Sequence, residues 1–120
     1  MFGLFNNESA SSKLWKTLDQ KSQLEELEKE SFTSPVVLFK HSTRCSISHM
    51  AKGRLESSSE GAPEIYYLDL IRYRDISNEI AERFNVRHES PQIIIIKDGK
   101  AVYNASHGGI SMNEIIQYAG

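Results

Sequence analysis

The chain has 120 residues, and its 14 Lys and Arg and 16 Asp and Glu give a formal net charge of -2. This length predicts one domain over residues 1–120, with residues 1–12 as a loose N-terminal tail. Because the charges are interspersed, we expect no nucleic-acid and no membrane partner. The apolar start lacks a basic leader, and no apolar run reaches membrane-spanning length, so we expect a cytoplasmic protein.

The first three predicted elements are a strand, a helix and a strand. Residues 14–18 alternate between apolar and polar side chains, as in a short strand. Ser22 and Glu25 have the spacing of a capping box at the start of a helix over residues 23–29. The apolar run over residues 36–40 has the length of a strand, and it predicts a strand buried on both faces of a mostly parallel sheet.

A second helix, strand and helix are predicted next. The helix spans residues 46–56, and its apolar residues recur at spacings of three and four. Its predicted core stripe contains Ile47, Met50, Ala51 and Leu55. Residues 64–70 are rich in β-forming side chains, which indicates a strand. The core face of the following helix is marked by Ile76, Ile80 and Phe84.

The last part of the chain predicts a hairpin and a helix. Four consecutive isoleucines, residues 93–96, are followed by an Asp98-Gly99 turn of type I′ and a strand over residues 101–103. Ser111 and Glu114 have capping-box spacing at the last helix, whose packing residues are Ile115, Ile116 and Tyr118. The fold class is α/β, summarised as βαβαββα. It predicts a thioredoxin-like fold with a central mixed sheet flanked by helices.

Cys45 is the single cysteine, and it lies between the apolar strand and the helix that opens at Ser46. Backbone N–H groups and the helix dipole at that position favour the thiolate. Ser48 occupies the second position of a Cys-x-x-Cys spacing, so no internal disulfide can form and any redox cycle uses one thiol. The alternative is a structural cysteine that serves as a small buried hydrophobe.

Neighbouring polar residues are candidates for supporting roles. Arg44 and His41 are predicted to supply positive charge near the sulfur, and Ser48 to donate a hydrogen bond to the thiolate. In the alternative interpretation, Arg44 is a solvated loop residue, His41 faces outward at the strand end and Ser48 only marks a lost resolving cysteine. His49 has the spacing of a metal pair or a Cys-His base, but without further ligands we expect an exposed histidine and no metal site.

Three segments together resemble a known family: Lys40 to Ser48, Ser90-Pro91-Gln92, and Gly108-Gly109. They are similar to the YtxJ-like family, the monothiol bacilliredoxins of the thioredoxin superfamily. The resemblance implies a nucleophilic Cys45 and a cis peptide bond before Pro91, and it implies activity on mixed disulfides of proteins with bacillithiol. Many relatives have proline after the cysteine, whereas this chain has Ser46, which keeps its N–H donor.

The resemblance also implies where substrate binds. His41, Ser42 and Thr43 lead into the cysteine, and the backbone of Ser90 would hold an extended chain beside it. By analogy with glutathione-using relatives, the glycine pair Gly108-Gly109 and the following helix start would bind carboxylates such as those of bacillithiol. The alternative is that the glycines form an ordinary turn.

The leading hypothesis is a monothiol thiol-disulfide oxidoreductase that removes bacillithiol or a similar small thiol from S-thiolated client proteins through Cys45. We expect no bound cofactor, with the small thiol as co-substrate and with a small thiol or a second reductase regenerating the protein. Two alternatives remain at this point. One is a non-catalytic redox-sensing adaptor, and the other is an Fe–S carrier like the monothiol glutaredoxins.

Overall fold

A computed structural model describes residues 13–119 and contains a five-stranded sheet with helices on both faces. Its strands are β1 (Trp15–Thr17), β2 (Val36–His41), β3 (Ile65–Asp69), β4 (Gln92–Lys97) and β5 (Lys100–Ser106). Its helices are α1 (Ser22–Glu30), α2 (Ser46–Ser57), α3 (Arg74–Arg83) and α4 (Met112–Ala119), with a short 3₁₀ helix at His107–Gly109. None of these helices is long and apolar enough to cross a membrane.

The sheet has the strand order β1-β3-β2-β4-β5, with β2 at its centre. β3 runs parallel to β1 and β2, whereas β4 runs antiparallel to both β2 and β5. The predicted fold class and mixed sheet are therefore confirmed. From β2 onward the element order is the predicted βαβαββα, and that summary leaves out β1 and α1, which were predicted individually.

The two faces of the sheet are both covered, which explains the run of four isoleucines in β4. Successive side chains of a strand point to opposite faces. Ile94 and Ile96 pack on the α1/α3 side, and Ile93 and Ile95 pack on the α2/α4 side. A strand that is buried on both faces therefore needs apolar residues at consecutive positions. β2 has the same property, and all six of its residues are buried.

The predicted capping box at α1 is wrong. Ser22 is the first residue inside the helix, and the N-cap is Lys21, which makes no side-chain capping bond. Instead, Gln23 Oε1 accepts hydrogen bonds from the backbone N–H groups of Asp19 and Gln20, both at 2.9 Å. The side chain of Gln23 therefore provides the acceptor for the backbone N–H groups just before the helix, because it reaches further than the side chain of a serine.

The predicted core stripe of α2 is half correct. Ala51 and Leu55 are buried, whereas Ile47 and Met50 are 51% and 64% exposed. The buried row of the helix includes Ser48 instead. The hydrophobic pattern predicted the wrong buried face of the helix because it excluded Ser48. The polar group of this serine forms hydrogen bonds with residues outside the helix, which allows it to be buried.

The hairpin turn between β4 and β5 is confirmed as the predicted type. Asp98 and Gly99 have φ of 53° and 77°, the positive pair that a type I′ turn requires. Ser31 holds the turn from α1, because its carbonyl accepts from Asp98 N and its hydroxyl accepts from Gly99 N, both at 2.9 Å. The hairpin is thereby fixed to the helix that covers the sheet.

Candidate active site

Cys45 is the N-cap residue of α2, in extended backbone conformation with φ of -116° and ψ of 122°. Its N–H donates to the carbonyl of Ser42 at 3.2 Å, and its carbonyl accepts from the N–H of His49 at 3.1 Å. The thiol is free and partly exposed. The predicted position at the start of the helix is therefore confirmed. The side chain of Cys45 makes no capping hydrogen bond to the N–H groups of the first turn, which form the positive end of the helix dipole.

Ser48 is fully buried beneath this turn and has two polar partners. Its Oγ accepts from the N–H of Ser42 at 3.0 Å and lies 2.7 Å from Nδ1 of His41. Because Nδ1 is the only acceptor among the described partners of this hydroxyl, we assign the hydroxyl proton to the bond with Nδ1 and the imidazole proton to Nε2. Among the described hydrogen bonds, Ser48 thus fixes the turn and does not form the expected bond to the Cys45 thiolate.

His41 lies inside the protein, 1% exposed, with aromatic rings around it. Its ring centroid is 5.8 Å from that of Phe39, 5.6 Å from that of Tyr67 and 4.8 Å from that of His49. Burial lowers the pKa of His41 to about 4, with further lowering from His49 and Lys52. The imidazole is neutral at pH 7, so the expected positive charge is wrong, and so is the alternative that it faces outward.

Thr43, Arg44 and His49 form the exposed part of the turn. Nε2 of His49 lies 2.9 Å from the carbonyl of Thr43, a contact that joins the helix to the loop. Within residues 13–119, no carboxylate lies within 4.0 Å of the Arg44 guanidinium. In the same part of the chain, no three His, Cys, Asp or Glu side chains are grouped so that they could hold a metal. Arg44 therefore remains the candidate source of positive charge at the surface.

The peptide bond between Ser90 and Pro91 is cis, as the family resemblance implied. Lys40 of β2 pairs with Gln92 of β4, so the next positions along the two strands, His41 and Pro91, lie side by side. Ser90 Oγ is buried without a partner in the described part of the chain. The structure thus brings Ser90 and Pro91 to the same edge of the sheet as the turn that carries the cysteine.

Gly108 and Gly109 lie in the 3₁₀ helix after β5, and both are exposed. The segment is joined to the cis peptide, because the N–H of His107 donates to the carbonyl of Pro91 at 3.1 Å. Nη2 of Arg54 lies 3.3 Å from the carbonyl oxygens of His107 and Ile110. A Cβ added at either glycine would meet no atom within 4 Å, so packing within the protein does not require a glycine at either position.

Lys40 is a buried ionisable residue to which sequence reasoning gave no role. It is fully buried, and its Nζ lies 3.3 Å from both the carbonyl of Ser77 and Nδ1 of His88. Burial lowers its pKa to about 8, so the amine is protonated at pH 7. A signal was available, since a lysine that continues an apolar strand in step with Val36 and Leu38 points to the same covered face.

Comparisons with known proteins agree with this geometry. A solved structure assigned as an oxidoreductase with a thioredoxin fold is 32% identical, covers 90% of this chain and 96% of its own, and has a TM-score of 0.79. The fold is shared by a mutant thioredoxin from Halobacterium salinarum NRC-1, which is 17% identical, covers 93% of this chain and 96% of its own, and has a TM-score of 0.64. It is also shared by thioredoxin from Fasciola hepatica, which is 23% identical, covers 86% of this chain and 98% of its own, and has a TM-score of 0.62. Residues 16–115 match the family model of monothiol bacilliredoxin BrxC. The chain therefore belongs to the monothiol bacilliredoxin family and has a thioredoxin fold, which together indicate a thiol redox function.

Proposed function

We propose that this protein is a monothiol thiol-disulfide oxidoreductase that removes bacillithiol, or a similar small thiol, from protein mixed disulfides through Cys45. The observation that carries the proposal is one free, partly exposed thiol at the N-cap of α2. Ser48 fills the position where a second cysteine would resolve the adduct, and its hydroxyl is already bonded to His41. This site supports transfer of a thiol and not formation of an internal disulfide.

The reaction has two exchange steps. The Cys45 thiolate attacks the small-thiol sulfur of the mixed disulfide, a new disulfide forms between Cys45 and the small thiol, and the client leaves as a thiolate that takes up a proton. An external thiolate, from a second small thiol or a reductase, then attacks the small-thiol sulfur of the adduct. Cys45 leaves as the thiolate, and the small thiol departs in a disulfide with the attacking thiol.

Neighbouring groups have distinct parts in this proposal. The first-turn N–H groups of α2 stabilise negative charge on sulfur, and the exposed Arg44 adds a positive charge close to it. The neutral His41 and the buried Ser48 hold the turn in place without contributing charge. The backbone of Ser90 offers an N–H and a carbonyl to an extended segment of the client.

The small thiol is proposed to bind at the turn that contains Gly108 and Gly109, next to the start of α4. The exposed pair Gly108-Gly109 leaves room for close approach, the start of α4 favours carboxylates, and Arg54 adds a cation beside this turn. Of the three residues that lead into Cys45, only Thr43 is exposed and can contact the small thiol, so the predicted contacts of His41 and Ser42 with substrate are wrong because both side chains are buried. The protein uses the small thiol as a co-substrate and needs no bound cofactor. We place its action in the cytoplasm, where thiols stay reduced.

The test is intact mass spectrometry of the reduced protein mixed with a bacillithiolated client. We expect a bacillithiol adduct on Cys45 and a freed client thiol, and neither product with Cys45→Ser. An adduct on Cys45 that forms only from oxidised bacillithiol, while the client stays modified, would support the sensing adaptor instead. Visible absorbance after anaerobic Fe–S reconstitution, with no transfer, would support the cluster carrier.

A further inference from the structure

Lys40 is held in a setting that disfavours its charge. It is fully buried, and among residues 13–119 no carboxylate lies within 4.0 Å of its Nζ. A buried ammonium with only neutral partners is costly to fold, and an apolar side chain of similar length is usually tolerated or stabilising at such a position. Stability alone therefore does not account for a lysine here.

Its contacts connect three elements at the active-site edge of the sheet. Nζ of Lys40, at the end of β2, lies 3.3 Å from the carbonyl of Ser77 in the first turns of α3. It lies 3.3 Å from Nδ1 of His88, which is two residues before Ser90. His88 is exposed at the surface, and its Nδ1 is held inward by the buried amine of Lys40 together with the hydroxyl of Ser77, which also lies 3.3 Å from it.

Gln92 holds the same segment from the adjacent strand. It is buried, it pairs with Lys40 in the sheet, and its side chain points to the same face. Its Nε2 donates to the carbonyl of Arg87 at 3.0 Å, and its Oε1 accepts from the N–H of Glu89 at 3.3 Å. The residues that lead into the cis peptide are therefore fastened by two buried polar side chains.

We propose that Lys40 is a positioning residue for thiol transfer, which holds the segment from His88 to Pro91 so that the backbone of Ser90 can receive a client chain beside Cys45. This inference rests on the proposed function. Lys40 acts through His88 and does not touch the reacting sulfur atoms. Its effect is on recognition of the extended protein client and not on the nucleophilicity of the thiolate.

The experiment compares two substrates across a mutant cycle of Lys40→Met, His88→Ala and the double variant. One substrate is a bacillithiolated client protein, and the other is cystamine, a small disulfide that has no chain to be held. We expect the client concentration at half-maximal rate to rise about fivefold in each single variant, the effect of one lost buried hydrogen bond. The rate with cystamine stays within about twofold of wild type. The loss in the double variant is smaller than the sum of the two single losses, because both variants remove the contact between Lys40 and His88 and each also loses its own contact with Ser77.

Two further measurements separate positioning from a general effect on folding. Hydrogen exchange at the Glu89 and Gln92 amides should become faster in Lys40→Met, while its melting temperature at pH 7 is no lower than that of wild type. Lys29→Met, an exposed lysine on α1, is the matched control and should change neither property. If Lys40→Met does not fold, His88→Ala carries the test, since His88 is a surface residue.

Unchanged client half-saturation together with unchanged exchange at Glu89 would overturn the proposal. Equal losses for the client and cystamine, accompanied by a lower melting temperature, would also overturn it in favour of a structural role. If the wild-type protein takes no bacillithiol from the client, the proposed function fails. In that case the exchange rate at Glu89 alone decides whether Lys40 holds the segment.

Discussion

Lys40 and His41 are neighbours at the end of β2, and both are buried, but they face opposite layers of the protein. His41 points toward α2, where it bonds Ser48 under the cysteine turn. Lys40 points toward α3, where it contacts Ser77 and His88. Burial lowers the pKa of His41 to about 4 and that of Lys40 to about 8. At pH 7 the buried imidazole under the cysteine turn is therefore neutral, whereas the opposite layer holds a buried positive charge.

The difference shows how one strand can serve a redox site in two ways. A neutral imidazole accepts a hydrogen bond from Ser48 and fixes the turn without altering the charge beside the sulfur. A buried ammonium can donate hydrogen bonds to several acceptors at once, so it can connect separate secondary-structure elements. The alternation of a strand is what allows both groups to occupy consecutive residues.

The largest expected effect is loss of stability in acid because His41 must become charged. Its pKa is about 4 in the folded protein and 6.5 in the unfolded chain, so the unfolded chain binds more protons between these values. The contribution is fully present above pH 6.5 and is lost as the pH falls toward 4, and the 2.5-unit difference amounts to about 3 kcal/mol. Urea unfolding at pH 7 and pH 4 measures the loss.

The matched control for this prediction is His41→Asn. Asparagine keeps an acceptor for the Ser48 hydroxyl near the position of Nδ1 but does not titrate in this range. We expect its acid loss to be smaller than that of wild type by about 3 kcal/mol. Equal losses in the two proteins would show that other groups, such as the carboxylates, cause the acid sensitivity.

A smaller effect of the same sign is expected for Lys40 at high pH. Its pKa is about 8 when folded and 10.5 when unfolded, so between these values the unfolded chain again binds more protons and stability rises with pH. Between pH 8 and pH 9.5 the gain is about 2 kcal/mol. Chemical denaturation of wild type and Lys40→Met over this range checks it. A gain that persists in Lys40→Met would assign the rise to another group.

The next effect concerns the hydroxyl that joins the His41 layer to the cysteine turn. Ser48→Ala removes the acceptor of the Ser42 N–H and the donor to His41, and we expect a loss of about 1 to 2 kcal/mol in unfolding free energy. Ser57→Ala is the matched control, because that exposed hydroxyl on the same helix bonds only carbonyls of its own helix. Equal small losses in both variants would contradict a special role for Ser48.

Most of the fold could be predicted because its signals are local. Consecutive apolar residues in β2 and β4 indicate strands that are buried on both faces. The Asp98-Gly99 pair indicates a turn that requires positive φ angles. The position of Cys45 at the start of α2 was predicted for the same reason, since the residue lies between a recognisable strand and a recognisable helix. The error in α2 arose at Ser48, whose partners come from outside the helix.

The electrostatics of the site could not be predicted because they depend on which layer covers each side chain. Sequence reasoning gave His41 a positive charge, but its neighbours Phe39 and Tyr67 are brought together only by the folded sheet and keep it neutral. Lys40 was read as part of an apolar run and given no role. Its contact with His88 joins residues 48 positions apart, a separation that no local pattern reports.

The smallest expected effect tests whether His49 helps to keep His41 neutral. The His49 ring lies edge-on to His41, and after burial its charge is the next cause that lowers the pKa of His41. His49→Ala removes that repulsion and opens one side of the ring to water, so the pKa of His41 should rise from about 4 but stay below 6.5. The accompanying change in acid stability is under about 1 kcal/mol.

Imidazole proton shifts followed by NMR from pH 3 to pH 8 measure the titration of His41 directly. His107→Ala is the control, because this exposed histidine of the 3₁₀ helix is not among the groups that shift His41. A pKa of His41 that does not move in His49→Ala would mean that burial by Phe39, Tyr67 and the sheet is sufficient. The neutrality of His41 would then be a property of the core alone, independent of the exposed face of α2.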